Sequence, residues 1–342
     1  MTSRVEKIRQ NAFTADAHFD LTYDLALRKE RKQIQVIKNN YLTAFQRGGF
    51  DLIVSSIFIN NIFLPEMGLR RALDQISYLM QELQENTEEL VLCRTFQDVL
   101  QAKKNNQIGI MLAFEGVEPL QNDINLLPIF HELGVRGVGL TWSRRNYVGD
   151  GAHYSQQREG QKGGLSAFGV QVIEKAEKMG MYIDVSHMND KCFWDTMKFA
   201  QKPVLASHSN CRALCDVKRN LTDPQIEALA KTGGLINVCA ISEFIGDTSP
   251  GSRRLNADDL INHIDHIVKI AGIHHIGLGL DFCDGLPDYL TLSASDYTYD
   301  VIEGHQALDD LISGLIKRNY SDEEILLILG GNFKRYLSET LA

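Results

Sequence analysis

Short apolar runs alternate with amphipathic helical stretches along almost the whole chain, and this alternation constrains the fold more than any other feature. Eight strand-like runs stand out, at residues 12–19, 51–59, 107–114, 135–142, 181–186, 203–207, 233–240 and 275–280. They are apolar without strict alternation, the pattern of strands buried on both faces of a parallel sheet. Helix signals lie between them. Leu69, Leu73, Ile76, Met80 and Leu83 share one helical face. Residues 24–46 predict one helix with Ile34, Ile37, Tyr41 and Phe45 on its apolar side, stopped by Arg47-Gly48-Gly49. Residues 119–133 and 189–200 read as shorter helices. Ser166 caps a helix whose apolar face is Phe168, Val172, Ala176 and Met179. Thr222-Asp223-Pro224-Gln225 opens another, and Leu260, Ile264, Ile267 and Ala271 line a third. Ser321 and Glu324 form a capping box for the last.

Strands alternating with helices predict an α/β fold, a (β/α)8 TIM-type barrel formed as one domain over residues 1–342. The alternative is a doubly wound open sheet, but no GxGxxG follows the first strand. Residues 143–164 form a polar, glycine-rich loop of about twenty residues, far longer than an ordinary connection, and predict an active-site loop or lid.

The formal net charge of −9 and the lack of a basic run argue against nucleic acid or an anionic membrane surface as a partner. The most apolar run, residues 52–64, is broken by Ser55, Ser56, Asn60 and Asn61 and is too short to cross a bilayer. The first residues are polar, with no apolar core of a signal peptide, and no lipid-anchor tail follows the last helix. A cytoplasmic protein is therefore expected. The six cysteines are scattered without a CxxC pair, as reduced and mostly buried thiols would be.

In such a barrel the active site is built at the carboxyl ends of the strands. His18 and Asp20 end the first run, two residues apart, so their side chains point the same way. Glu115 ends the third, His187 the fifth, His208 the sixth and Asp281 the eighth. Each has an ordinary reading by itself, as a strand-end histidine, a helix cap or a turn residue. Their shared position at one rim makes a joint metal site the better reading. Three histidines and two or three carboxylates suit two borderline-soft divalent ions, zinc foremost. A carboxylate between the histidine sets can bridge them, because each oxygen can take one ion. Two ions about 3.5–4 Å apart share and acidify a water. A further carboxylate then carries the proton to the leaving group.

Other candidates weigh less. His263, His266, His274 and His275 fall on the last helix before the eighth strand or at that strand's start, away from the carboxyl rim, and read as structural or solvated. Gly163-Gly164-Leu165-Ser166 reads as a turn and cap rather than an anion site. Cys211 and Cys215 supply only two ligands, and Cys283 reads as a small packed thiol.

These motifs resemble those of the renal (membrane) dipeptidases, binuclear zinc peptidases of the amidohydrolase type, over most of the chain. The resemblance rests on His18-Phe19-Asp20-Leu21, Phe114-Glu115-Gly116 and Gly164-Leu165-Ser166-Ala167-Phe168-Gly169 leading into Ile183-Asp184-Val185-Ser186-His187. It continues through Pro203-Val204-Leu205-Ala206-Ser207-His208-Ser209, Gly279-Leu280-Asp281-Phe282 and Gly330-Gly331-Asn332-Phe333. It implies that His18, Asp20 and Glu115 hold one zinc and that Glu115, His187 and His208 hold the other. It implies that Asp281 protonates the leaving amine and that Arg219 pairs with the carboxylate of a dipeptide, a task suited to an arginine fork. Without it, Arg219 reads as a surface arginine beside a helix start. It also implies a homodimer.

Two departures bear on specificity. The vertebrate enzymes carry a histidine after the threonine that ends strand four; here Thr141 is followed by Trp142, which can pack a substrate and donate one hydrogen bond but cannot be an imidazolium. The Asp-Phe-Asp-Gly of many members becomes Asp281-Phe282-Cys283-Asp284-Gly285, one residue longer. The leading expectation is a zinc dipeptidase acting on free dipeptides, L-Xaa-D-Yaa substrates among them. Hydrolysis of another small amide, an N-acyl amino acid or a lactam, is the alternative that Trp142 motivates. A non-enzymatic metal-bearing scaffold is a third, opposed by the complete donor set.

Overall fold

The computed structural model describes residues 3–153, 163–283 and 298–341. Part of the long loop and the Asp284-Gly285 step lie outside these residues. The strands are β1 Ala15–Phe19, β2 Leu52–Phe58, β3 Leu90–Leu92, β4 Ile108–Glu115, β5 Val135–Gly139, β6 Tyr182–Asp184, β7 Leu205–Ala206, β8 Leu235–Val238 and β9 Ile276–Leu278. Every pairing is parallel. Eight strands follow one another in the order β1-β2-β4-β5-β6-β7-β8-β9, with helices between them, as a (β/α)8 TIM-type barrel. The strands other than β3 are buried at every position, which is why their sequences lack alternation.

The ring joins β9 to β1 through individual bonds. The Asp281 N–H donates to the His18 carbonyl at 3.2 Å, and the Leu280 N–H to Asp16 Oδ1 at 2.8 Å. The other Asp16 oxygen meets His305 Nε2 at 2.8 Å inside a cage of Phe19, Phe45, Phe50 and Phe282. At the opposite end, Asn332 Nδ2 donates to the carbonyls of Ile273 and Ile276. A Cβ on Gly330 would stand 2.4 Å from the Phe13 carbonyl, so the C-terminal segment lies against the start of β1 only because that residue is glycine.

Several predicted elements stand as expected. Ser166 accepts from the Gly169 N–H, and capping boxes form at Thr222 with Gln225 and at Ser321 with Glu324. Three differ. The helix predicted over 24–46 is broken: one helix spans Leu21–Glu30, and a second begins with a π-turn at Lys38–Leu42 that runs into Thr43–Gly48. Lys32 and Gln35 adopt φ of 63° and 48° between them. The buried Glu82 carboxylate accepts from the Val36 and Ile37 N–H groups at 3.0 and 2.9 Å and pairs with Lys29. A capping partner 45 residues away in sequence thus outweighs local periodicity, turning Val36 and Ile37 inward and leaving Ile34 73% exposed.

Strand β3 was not anticipated. It has three residues and pairs the first half of β4, while β5 pairs the second half along the same edge. The stretch predicted as a short helix over 119–133 holds a 3-10 turn at Glu118–Leu120 and a helix at Leu126–Glu132. Helices at Arg4–Asn11 and Leu308–Lys317 were also unforeseen. The first buries only Ile8, too little to leave a periodic signal.

Candidate metal centre

The strand ends bring six of the predicted residues to one buried cluster. His18 lies in β1, Asp20 just beyond it and Glu115 at the last position of β4. His187, His208 and Asp281 follow β6, β7 and β9. His187 and Asp281 hold φ of 68° and 54°, a left-handed backbone unusual outside glycine and often found where a site dictates side-chain direction.

The Glu115 carboxylate spans the cluster. Its Oε1 is 2.9 Å from His187 Nε2 and 3.7 Å from His208 Nε2, while its Oε2 is 3.7 Å from His18 Nε2. His187 and His208 converge with their Nε2 atoms 2.8 Å apart. His18 Nε2 is also 3.9 Å from Asp20 Oδ1 and 3.7 Å from Asp281 Oδ1. Asp281 Oδ2 lies 4.0 Å from His208 Nε2 and accepts from the Cys239 thiol. Two overlapping donor sets result, His18–Glu115–His208 and His18–Asp20–Asp281, each with ligand atoms within 4.8 Å of one another.

The electrostatics of this cluster suit cations. Burial drives the His187 and His208 imidazoles well below their ordinary pKa, with Arg219 adding to the effect. Burial also lowers His18, against the pull of Asp20. These rings are neutral and offer lone pairs, as metal ligation requires. Glu115 and Asp281 are pushed well above the carboxylate range, first by burial and then by the Asp20 charge. Among the described residues, His18 Nε2 and Glu115 Oε2 are buried without a hydrogen-bond partner. Buried, crowded carboxylates and unpartnered donor atoms are what a pair of divalent cations would satisfy, so the residues fit such a group.

A further layer orients the rings. Asp184 accepts from the N–H groups of Ser186 and Ser207 at 2.9 Å and from the Ser207 hydroxyl at 2.5 Å. With its hydrogen given to Asp184, Ser207 Oγ can only accept from His208 Nδ1, 2.7 Å away. That places the His208 lone pair on Nε2, facing the cluster. Ser143 Oγ meets His187 Nδ1 at 2.8 Å, and the Ser56 hydroxyl donates to Asp20. None of these partners was predicted. Serine beside a donor histidine is too common to signal anything before the rotamers are known.

Arg219 is not a surface residue. It is 5% exposed, donates from Nη1 to Ser209 Oγ at 2.9 Å and from Nη2 to the His208 carbonyl, and keeps its buried Nε unpartnered. Trp142 is buried too, its ring 5.7 Å from that of His187 and packed with Tyr23 and Phe58. The described part of the long loop wraps His187, with the Ala152 N–H donating to the His187 carbonyl at 2.6 Å. The weaker candidates lie apart. His263 accepts from the Cys211 N–H and meets the Ile245 carbonyl, His266 pairs with Asp223, and His275 meets the Gly234 carbonyl. Cys283 packs beside Asp300, and no disulfide joins the cysteines of the described residues.

The sequence profile of the membrane dipeptidase family (peptidase family M19) matches residues 2–342. A protein from the pqqA 5′ region of Klebsiella pneumoniae is 33% identical over 243 residues, which are 67% of this chain and 89% of that protein. A Schizosaccharomyces pombe protein described as an uncharacterized dipeptidase is 29% identical and covers 98% of this chain and 82% of its own. Among solved structures, a metallo peptidase from Rhodobacter sphaeroides, liganded with a phosphinate mimic of the dipeptide L-Ala-D-Ala, superposes with a TM-score of 0.85. It is 22% identical and covers 96% of this chain and 99% of its own, a likeness of fold.

Proposed function

The chain belongs to the membrane dipeptidase family of metallopeptidases, and from that premise we propose that it hydrolyses free dipeptides at a pair of zinc ions. The observation that carries this reading is the Glu115 carboxylate, which turns one oxygen to His187 and His208 and the other to His18. In it, His18, Asp20 and Glu115 hold one ion and Glu115, His187 and His208 hold the other. When bound, the ions would polarise the scissile carbonyl and lower the pKa of water.

The chain's own residues do the rest. Asp281, with one oxygen 3.7 Å from His18 Nε2 and the other 4.0 Å from His208 Nε2, carries the proton to the departing amine. Arg219, with Nε unpartnered, takes the substrate carboxylate. Trp142 packs the substrate beside His187. The ligand of the Rhodobacter enzyme supports an L-Xaa-D-Yaa substrate among those accepted. The whole of residues 1–342 is read as one domain carrying this site. Six scattered cysteines without a CxxC pair favour a reducing compartment, the cytoplasm. Among the described residues, no helix is long and apolar enough to cross a membrane. A homodimer is expected by sedimentation.

The test is elemental analysis of the purified protein, assayed in parallel on L-Ala-D-Ala and L-Ala-L-Ala. About two zinc per chain with dipeptide turnover is the expected result. Zinc without turnover of either dipeptide would move the substrate to an N-acyl amino acid or a lactam. Failure to take up metal when zinc is supplied would overturn the site itself.

A further inference from the structure

In the turn after β5, Trp142 and Ser143 converge on one imidazole, and Arg144 follows them. Trp142 stacks on the His187 ring at 5.7 Å and Ser143 Oγ holds its Nδ1 at 2.8 Å. Arg144 touches neither ring nitrogen; it fastens the segment that does. Its Nε donates to Glu118 Oε1 at 2.6 Å, Nη1 to Asn61 Oδ1 at 3.1 Å and Nη2 to the Ile59 carbonyl at 2.9 Å. One guanidinium thus ties the turns after β2 and β4 to the turn after β5. The same group lies 4.9 Å above the Trp142 ring and 5.5 Å from that of Phe58, in cation–π range of both. Its backbone takes part as well: the Arg144 carbonyl accepts from the Gly151 N–H at 3.0 Å, one residue before Ala152 donates to the His187 carbonyl.

The Arg144 and Glu118 side chains are only 12% and 7% exposed, so the pair is poorly screened and directional. Residues on its outer side, among them Asn61, Glu118, Arg145 and Tyr147, line with Arg144 a cavity of about 820 Å³. Arg144 both covers the Trp142 ring and lines this cavity, so a side chain without the guanidinium would leave that face of the indole less held.

We propose that Arg144 is a positioning residue of the metal centre, pressing Trp142 onto His187 and so fixing the direction of the His187 lone pair. The proposal rests on the reading of His187 as a zinc ligand. A lysine could supply the charge but not three bonds in the geometry of a fork.

The experiment uses the full chain carrying Trp194→Phe, which leaves Trp142 as its one indole; Trp194 is 45% exposed and packs edge-on against Phe193. Arg144→Met, Arg144→Lys and Asn61→Ala are compared in this background. Three quantities are read: Trp142 emission and acrylamide quenching in metal-free protein, zinc affinity by chelator competition, and kcat and KM on L-Ala-L-Ala at saturating zinc. In Arg144→Met, quenching rises, zinc binds about tenfold more weakly and kcat falls about tenfold with KM little changed, the size typical of losing a partner that orients a ligand. Arg144→Lys recovers part of this, and Asn61→Ala shows the same changes on a smaller scale. Unchanged Trp142 quenching and zinc affinity in Arg144→Met, even with a lowered Tm, would overturn the proposal. Should that variant not fold, the same two readouts unchanged in both Arg144→Lys and Asn61→Ala would do so. A parent that binds zinc but cleaves no dipeptide would end the dipeptidase reading alone, since quenching and zinc affinity still report on Arg144.

Discussion

Asp281 and Ser207 show how the same cluster separates chemistry from orientation. Asp281 stands between two of the histidines, 3.7 Å from His18 Nε2 and 4.0 Å from His208 Nε2, and its backbone is held in the left-handed region. Asp281→Asn keeps the shape and a carbonyl oxygen but cannot carry a proton. Turnover is expected to fall by about 10²–10⁴-fold while zinc stays bound; dipeptide turnover near that of the parent would remove the residue from the reaction. Ser207 touches no substrate in this reading. It passes the Asp184 charge to His208 Nδ1, so Ser207→Ala is expected to weaken zinc about tenfold and to regain most of its kcat when zinc is raised. Zinc titration followed by kinetics separates the two cases. His18, Asp20, Glu115, His187, His208 and Asp281 were all legible as candidates, because ligand chemistry belongs to a residue type and strand ends show in hydropathy. The inward position of Arg219 was not legible from its neighbours. It depends on Ser209 and the His208 carbonyl, brought to it only by the folded chain.

At the scale of elements, the break between Leu21–Glu30 and Thr43–Gly48 is the clearest case of tertiary contact overriding local pattern. Ile34 sits at helical spacing from Ile37, yet it faces solvent while Val36 and Ile37 are buried. The Glu82 carboxylate stabilises this arrangement by taking two backbone N–H groups and the Lys29 ammonium. Glu82→Ala leaves these donors buried without partners and is expected to cost about 3 kcal/mol in urea unfolding. Glu82→Gln, which retains one acceptor oxygen, is expected to cost less. Equal stability of Glu82→Ala and the parent would mean that the break has another origin. Strand β3 teaches a related lesson: three residues on half of one β4 edge are too few to show a period.

Across the whole molecule, closure of the barrel and the candidate metal centre share one seam. Asp16 receives the Leu280 and His18 N–H groups on one oxygen and meets His305 on the other. The donors from β1 and the Asp281 turn after β9 are therefore placed by the same seam. Asp16→Ala is expected to cost about 3 kcal/mol of stability and to weaken zinc as well, through displacement of His18 and Asp281. A variant that loses stability but binds zinc as tightly as the parent would separate seam from site. Metal removal tests the converse. A chelator should lower Tm, because an ion that binds only the folded chain stabilises it by about 4 kcal/mol at a thousand times its Kd. Restoring zinc should restore Tm, and a Tm indifferent to chelator would argue against a bound ion.

The barrel, the rim where the buried cluster gathers and the candidate donors on that rim were legible in the sequence alone. Strand runs, helix caps and ligand types are properties of contiguous residues, and their order along the chain dictates which ends meet. The tertiary structure decided the rest: the β1–β9 seam at Asp16, the serines that select the imidazole tautomers, the burial of Arg219 and the fork of Arg144. Each of these depends on hydrogen bonds whose partners only the folded chain brings into geometry. Such a bond is set by distance and angle in the folded state, and neither is encoded in local hydrophobicity or spacing.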